Sequence, residues 1–346
     1  MSPDPSPSTP RTGTGSAAGA PLRTSGSGEP GDGGRPGDDS TAVTVQVPAK
    51  VNVQLAVGPP RADGFHELAN VFLAVGLYDR VTARPAERLE LGCTGPDADR
   101  VPLDGTNLAA RAATALAARH GIEPAVRLDI EKDIPVAGGM AGGSADAAGA
   151  LLACDALWGL ETPREQLLEI CAELGSDVPF SLVGGAALGR GRGERLSVLE
   201  VGAEFHWVFA TADGGLSTPA VYREFDRLTG SAASEPQPSE ALLAALRRGD
   251  AEQLAACLAN DLEPAALSLR PELARTLETG RGAGAAAALV SGSGPTCAFL
   301  AKSAEGAESV AGALREAGVC RTARTATGPA PGARVLPDRT ATNRTP

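Results

Sequence analysis

From Val43 to Leu55 apolar and polar side chains alternate without a break. Val43, Val45, Val47, Ala49, Val51, Val53 and Leu55 fall on one side, and Thr44, Gln46, Pro48, Lys50, Asn52 and Gln54 on the other. Period two over this length predicts a half-buried β-strand, or two strands divided near Pro48, which has no N–H for a ladder. A chain patterned this way must build a sheet with one face against a core. The polar face then carries Lys50 and Asn52 side by side, and residues 71–83 read as a second strand region.

Downstream the period changes. Residues 106–120 form an Ala-rich helical stretch with Gly121 as its stop. Residues 126–131 read as a strand that runs into a glycine-rich turn, 137–143, and residues 144–158 as a helix with Ser144 as its natural N-cap. Helical patterns recur at 163–174, 238–247, 251–257, 270–278 and 304–317. Short strands are expected at 186–188, 195–199, 206–210, 285–291 and 297–301. The mixture predicts an α+β fold in two lobes, an N-terminal domain over 41–205 and a C-terminal domain over 206–324. Residues 1–40 hold nine Gly, seven Pro and seven Ser, with Met1 and Leu22 the only large apolar side chains. Such a stretch buries too little surface to offset its ordering entropy, so a disordered tail is expected there. Residues 325–346 have a similar composition and are expected to form a second one.

A net charge of −11 argues against a nucleic-acid binder, whose affinity rests on a basic face, although it leaves room for a local cleft that takes a small anion. The six cysteines and three histidines are scattered, with no CxxC pair, so neither a disulfide framework nor a structural zinc site is expected. There is no early apolar stretch of signal-peptide type and no run approaching the ~18 apolar residues of a membrane span. A cytoplasmic protein is expected.

The strongest chemical signal is Pro135-Val136-Ala137-Gly138-Gly139-Met140-Ala141-Gly142-Gly143-Ser144 between a strand and a helix. Glycines let backbone N–H groups crowd round an anion, and a helix start adds its positive dipole end. The stretch is neither a Walker A loop nor a GxGxxG fingerprint. It reads as a phosphate cradle or as a plain connector. Lys50 belongs to a solvated strand face or to a site. Asp177, in Leu174-Gly-Ser-Asp-Val-Pro-Phe180, is a turn or cap residue or a base. Brought together beside a phosphate cradle, the carboxylate could take a proton from a substrate hydroxyl and the ammonium could neutralise a phosphoryl group in transfer. His66, at the tip of Asp63-Gly-Phe-His66, is a packed histidine or a ligand contact. Ser291-Gly-Ser-Gly294 is a hairpin turn or a second anion site. Gly189-Arg-Gly-Arg-Gly193 reads as a basic loop.

Taken together these stretches resemble the GHMP kinases, small-molecule kinases named after galactose, homoserine, mevalonate and phosphomevalonate. Pro48-Ala-Lys-Val-Asn52, Arg61-Ala-Asp-Gly-Phe-His-Glu-Leu68, the glycine loop, Leu174 to Phe180, Ser217-Thr-Pro-Ala-Val-Tyr222 and Ser291 to Pro295 follow one another in the family's order. The Arg61–Leu68 and Ser217–Tyr222 stretches resemble those of the branch whose substrate carries a cytidine diphosphate. The resemblance implies an N-terminal domain like ribosomal protein S5 domain 2 and a ferredoxin-like C-terminal domain. It implies transfer of the γ-phosphate of Mg-ATP to the 2-hydroxyl of a cytidine-diphosphate-linked methylerythritol, a step of the non-mevalonate isoprenoid precursor pathway. The expected partner is that small molecule, with no nucleic acid and no membrane, and the expected state is a monomer or weak homodimer.

By motif position the resemblance makes Asp177 the base and Lys50 its partner, with Asn52 beside them. Phe65 and Tyr222 become the pair that sandwiches the cytosine, His66 its edge contact, and Thr218 a neighbour in that pocket. Residues Pro135 to Ala145 become the ATP loop. The chain departs from the family there: Ala137, Met140 and Ala141 stand where Gly, Leu and Gly are frequent, Ala145 replaces the second loop serine, and Phe65 replaces tyrosine. A Cβ at residue 141 limits positive φ. Ser144 is the hydroxyl left to help hold Mg²⁺ or a phosphate oxygen. No metal ligand is assigned, since Asp146 suits a helix first turn equally well. Phe65, His66 and Tyr222 argue against a homoserine or mevalonate kinase, since neither of those substrates has a base to stack. A regulatory relative would be expected to have lost Lys50 or Asp177.

Overall fold

The computed structural model describes residues 42–230 and 234–337. The alternating segment forms one long strand, β1 (Val43–Pro60), paired antiparallel with β2 (His66–Pro85). Pro48 does not divide it. The register shifts between Pro48 and Ala49, so the residue without an N–H sits at an irregularity of the ladder. A second shift lies between Asn52 and Gln54. Next come β3 (Glu90–Thr94), α1 (Leu108–His120), β4 (Val126–Glu131), α2 (Gly142–Trp158), α3 (Arg164–Leu174), α4 (Val178–Val183), β5 (Ala186–Arg190) and β6 (Arg195–Leu199). Asn107 caps α1 by accepting the Ala109 N–H, and Gly121 ends it at φ 66°.

The chain continues through β7 (Phe205–Thr211), α5 (Thr218–Thr229), α6 (Glu240–Arg248), α7 (Ala251–Cys257), β8 (Ala259–Asn260), α8 (Glu263–Leu269), α9 (Glu272–Gly282), β9 (Ala287–Val290), β10 (Cys297–Ala301), α10 (Ala304–Glu316), β11 (Thr322–Gly328) and β12 (Arg334–Val335). Two sheets result. One runs β12-β1-β2-β4-β3, with β5 and β6 added at β2 and β8 at β1. The other is antiparallel, in the order β11-β7-β10-β9. The two-domain α+β organisation is as expected.

Each sheet buries its apolar side chains by the alternation of its strands. Val45, Val47, Val51 and Val53 pack with Ala147, Ala148, Ala150 and Leu151 of α2. In β7, Val208 and Ala210 join Leu273, Leu277, Val310 and Leu314 of α9 and α10, while Trp207 and Phe209 join Leu242, Leu246 and Leu254 of α6 and α7. The second sheet is therefore covered on both faces.

Two expectations are corrected. Residues 325–337 are not a frayed tail: β11 continues to Gly328, and β12 returns to pair with Val45 and Gln46 of β1. Short backbone-paired segments need no apolar run, which is why composition misleads there. Residues 338–346 and the tail expected over 1–40 lie outside the described residues. The other correction concerns α2, which begins at Gly142 with Ala141 as N-cap, so Ser144 is the third residue of the helix and not its cap. Among the described residues no helix is long and apolar enough to cross a membrane.

Candidate active site

From Pro48 to Gln54 the polar face of β1 is buried. Lys50 is 5% and Asn52 1% exposed, because later segments close over that face. Gln54 donates its amide to the Gln237 carbonyl and accepts the Ser239 N–H, both at 2.8 Å, and β8 runs parallel beside Gln54 and Leu55. Asn52 donates through Nδ2 to Asn70 Oδ1 at 2.8 Å, which leaves its own Oδ1 to accept Lys50 Nζ at 2.6 Å. The ammonium lies 3.5 Å from Asp177 Oδ2.

Asp177 occupies the N-cap position of α4, yet its side chain makes no capping bond. Its carbonyl accepts the Ser181 N–H at 3.1 Å. The backbone serves the turn, and the carboxylate, free of any capping bond, lines a cavity.

The glycine loop forms one wall. Gly142, Gly143 and Ser144, the first turn of α2, line the cavity, and the Ala145 N–H, donated to the Ala141 carbonyl at 2.9 Å, closes the helix behind them. No side chain caps this helix, so its leading N–H groups remain for an anion. Ala137 and Ala141 stand at φ 52° and 62°, left-handed conformations that an L residue adopts at a cost of about 1–2 kcal/mol. Ala141→Gly is therefore expected to raise stability by about 0.5–1 kcal/mol, the relieved strain exceeding glycine's extra chain entropy. Thermal or urea unfolding would measure it.

Ala137, Gly138, Gly139 and Ala141 also line the cavity, whereas Pro135, Val136, Met140 and Ala145 do not. Met140 and Ala145 are fully buried in the core, and the Met140 carbonyl accepts the Lys50 N–H at 3.3 Å, fastening the loop to β1. Gly139, at φ 76°, lies against the Ser291–Gly294 turn so closely that a Cβ would stand 2.2 Å from the Ser291 carbonyl oxygen. That turn connects β9 to β10 and also walls the cavity through Gly292 and Ser293. Asn260 holds it by donating Nδ2 to the Val290 and Gly292 carbonyls at 2.7 and 2.8 Å.

A further part of the wall comes from the Arg61–His66 turn and α5. Thr218, Tyr222 and Asp226 recur at i, i+4 and i+8, so one face of α5 presents all three. Asp226 Oδ1 lies 2.8 Å from His66 Nε2, and the His66 and Tyr222 rings are 5.0 Å apart and tilted by 34°. Burial, and after it the charge of Asp177, pushes the Tyr222 hydroxyl's pKa up, which places Tyr222 in the field of that carboxylate. Thr218 Oγ1 and Ser293 Oγ share a hydrogen bond of 2.9 Å. Phe65 is 47% exposed, with the Arg192 guanidinium over its ring at 4.9 Å.

One cavity of about 650 Å³ thus touches Lys50, Asn52, Phe65, His66, Asp177, Thr218, Tyr222 and the glycine loop. Sequence reasoning missed Asn70, Ser176, Arg223 and Asp226, and treated Arg192 as part of a loop. For Asp226 the signal was present, because the spacing from Thr218 through Tyr222 is helical. Asn70 and Ser176 carried none. Asp146 does not line the cavity and is bonded to Lys132. Among the described residues no group of three or more His, Cys, Asp or Glu could hold a metal ion.

A glycine-rich helix start that meets a second glycine turn, with a buried lysine and a facing aspartate between them, defines a small-molecule kinase of the GHMP class. Residues 107–185 match the model of the GHMP kinases N terminal domain, and residues 242–320 that of the GHMP kinases C terminal domain. The chain is 73% identical over 296 residues to the 4-diphosphocytidyl-2-C-methyl-D-erythritol kinase of Streptomyces avermitilis, covering 85% of this chain and 100% of that one. A crystal structure of 4-(cytidine 5'-diphospho)-2C-methyl-D-erythritol kinase superposes with a TM-score of 0.68 at 36% identity, over 82% of this chain and 98% of that one. A homoserine kinase from Cytophaga hutchinsonii shares the fold, with a TM-score of 0.69 at 19% identity, over 86% of this chain and 98% of that one. The chain belongs to the 4-diphosphocytidyl-2-C-methyl-D-erythritol kinase family.

Proposed function

We infer that this enzyme transfers the γ-phosphate of ATP to the 2-hydroxyl of 4-diphosphocytidyl-2-C-methyl-D-erythritol, in the non-mevalonate route to isoprenoid precursors. The observation that carries the reading is the Lys50–Asp177 pair, 3.5 Å apart in one cavity between the glycine loop and the His66–Tyr222 wall. Asp177 takes the proton of the attacking hydroxyl as the new O–P bond forms and the bond to the β-phosphate oxygen breaks, releasing ADP. Lys50, 3.5 Å from that carboxylate, neutralises the transferring group. Loop N–H groups receive the phosphates, and the cavity holds both reactants in line.

Among the described residues no group of three or more His, Cys, Asp or Glu forms a metal cage, and a Mg²⁺ ion carried in on the nucleotide with several of its waters needs none. The Ser144 hydroxyl, at the cavity wall and not needed as a cap, is the protein group that would hold it. The ion supplies charge neutralisation on the phosphates.

Tyr222 and Phe65 read the cytosine by stacking, and His66, held by Asp226, reads its edge. Tyr222→Ala is expected to weaken binding of the cytidyl substrate by about 1–2 kcal/mol and leave ATP binding unchanged, as calorimetry would show. All six cysteines are free, in keeping with action in the cytoplasm. The enzyme acts as a monomer or weak homodimer, with no nucleic-acid partner.

The direct test is ADP release from Mg-ATP with 4-diphosphocytidyl-2-C-methyl-D-erythritol, mevalonate and homoserine offered in parallel. Turnover with the cytidyl substrate alone is expected. Turnover with either of the others would overturn the stacking role of Tyr222. A folded protein that binds ATP and turns over none of them would be a regulatory relative.

A further inference from the structure

Beneath the glycine loop lies a charged cluster that the reaction above does not use. Asp79 comes from β2, Lys132 directly follows β4, and Asp146 lies in α2; all three are buried. Lys132 Nζ donates to Asp79 Oδ2 and, at 2.8 Å, to Asp146 Oδ2. The other Asp79 oxygen accepts the N–H groups of Asp133 and Ile134 at 2.6 and 2.8 Å, the two residues immediately before Pro135. A Cβ on Gly142, where the loop enters α2, would stand 3.1 Å from Lys132 Nζ. The two flanks of the loop are thus linked through one ammonium, the Asp133–Ile134 side by way of Asp79 and the α2 side by way of Asp146.

Stability alone gives no reason for this arrangement. Replacing a buried ion cluster by apolar side chains of similar volume is often neutral or stabilising. Here one ammonium serves two carboxylates, and Asp146 Oδ1 has no hydrogen-bond partner. Burial pushes the Asp146 carboxyl up to about 7 against the pull of Lys132. What the cluster does provide is directional. Hydrogen bonds fix where Asp133–Ile134 and Gly142–Asp146 stand relative to each other, and that separation sets the curvature of the loop between them.

We propose that Asp79, Lys132 and Asp146 are positioning residues that hold the two ends of the ATP loop at the spacing needed to receive the nucleotide phosphates. The proposal rests on the kinase reading, and turnover of the cytidyl substrate by the wild-type enzyme tests that reading first and separately. Two variants then address the cluster. Asp146→Asn keeps the shape and removes a charge. The double variant Lys132→Met/Asp146→Leu keeps the packed volume and removes the link. Misplacement of the loop by a fraction of an ångström is expected to raise the ATP KM about tenfold in the double variant and less in the single one. The KM for the cytidyl substrate, and kcat at saturating ATP, should stay within about twofold.

A lowered melting temperature with an unchanged ATP KM, or an equal rise in both KM values, would overturn the proposal and leave the cluster a packing feature. Hydrogen exchange on the wild-type protein supplies a measurement that does not depend on either variant folding. The Asp133 and Ile134 amides are expected to exchange as slowly as the strands of the core. Exchange there as fast as at Gly143 would show that the clamp is not closed and would also overturn the proposal.

Discussion

Asp177→Asn is expected to lower kcat by at least about 100-fold while leaving the affinities for ATP and the cytidyl substrate within a few-fold, the usual range for loss of a general base. The backbone and the side chain of this residue have separate contacts. Its backbone carbonyl accepts the Ser181 N–H, and that bond survives the substitution. Its carboxylate makes no capping bond and faces Lys50, so the change removes the proposed proton acceptor and little else. Single-turnover measurements with both substrates bound isolate the chemical step. Ordinary turnover would reduce Asp177 to a turn residue and return the base to solvent.

The second large effect is expected at Lys50. Lys50→Met removes the ammonium from a site whose neighbours are arranged around it, and kcat should fall by about 100–1000-fold, as when one preorganised electrostatic donor is lost. Stability should fall too, because Asn52 Oδ1 loses the donor at 2.6 Å in a position closed to water, and such an orphaned group costs about 1–3 kcal/mol. Lys50→Arg should not restore the rate. A planar fork cannot reproduce a point donor that meets Asn52 Oδ1 at 2.6 Å and Asp177 at 3.5 Å in a buried site. Recovery by arginine would mean that charge alone matters and that the Asn70–Asn52–Lys50 chain is incidental.

Because Asp177→Asn and Lys50→Met act on one contact, their effects should not add. A double variant no slower than the worse single one is expected if the pair works as a unit.

Much of the frame was legible in the residues. Unbroken alternation over Val43–Leu55 specified β1, since no other regular backbone gives period two. Gly121 marked the end of α1, and the strand, glycine loop and helix succession of β4 and α2 followed from a change of period. The motif order from Lys50 through Asp177 to Ser291 pointed to the kinase class. Other features were misread for local reasons. Ser144 looked like a cap because serine favours that position, but Ala141 accepts a left-handed conformation and starts the helix earlier. The Thr218–Thr229 helix was overlooked behind Pro219, although proline suits a helix first turn.

Local pattern sets backbone form because period, caps and turns act between residues a few positions apart. The chain by itself therefore determined the strand that carries Lys50 and Asn52, the loop that can receive phosphate, and the alternation that gives each sheet its buried face. It could not say that the polar face of β1 is buried from Pro48 to Gln54. That depends on β8 and the Gln237–Ser239 stretch meeting Gln54. Nor could it pair Asn52 with Asn70, because the β1–β2 register sets Asn52 opposite Phe72 and Asn70 opposite Leu55. The meeting of Lys50 with Asp177, of His66 with Asp226, and of Lys132 with Asp79 and Asp146 was likewise decided by packing. Each joins groups from different elements whose approach follows from which cores close against one another, and pairwise spacing along the chain carries no record of that.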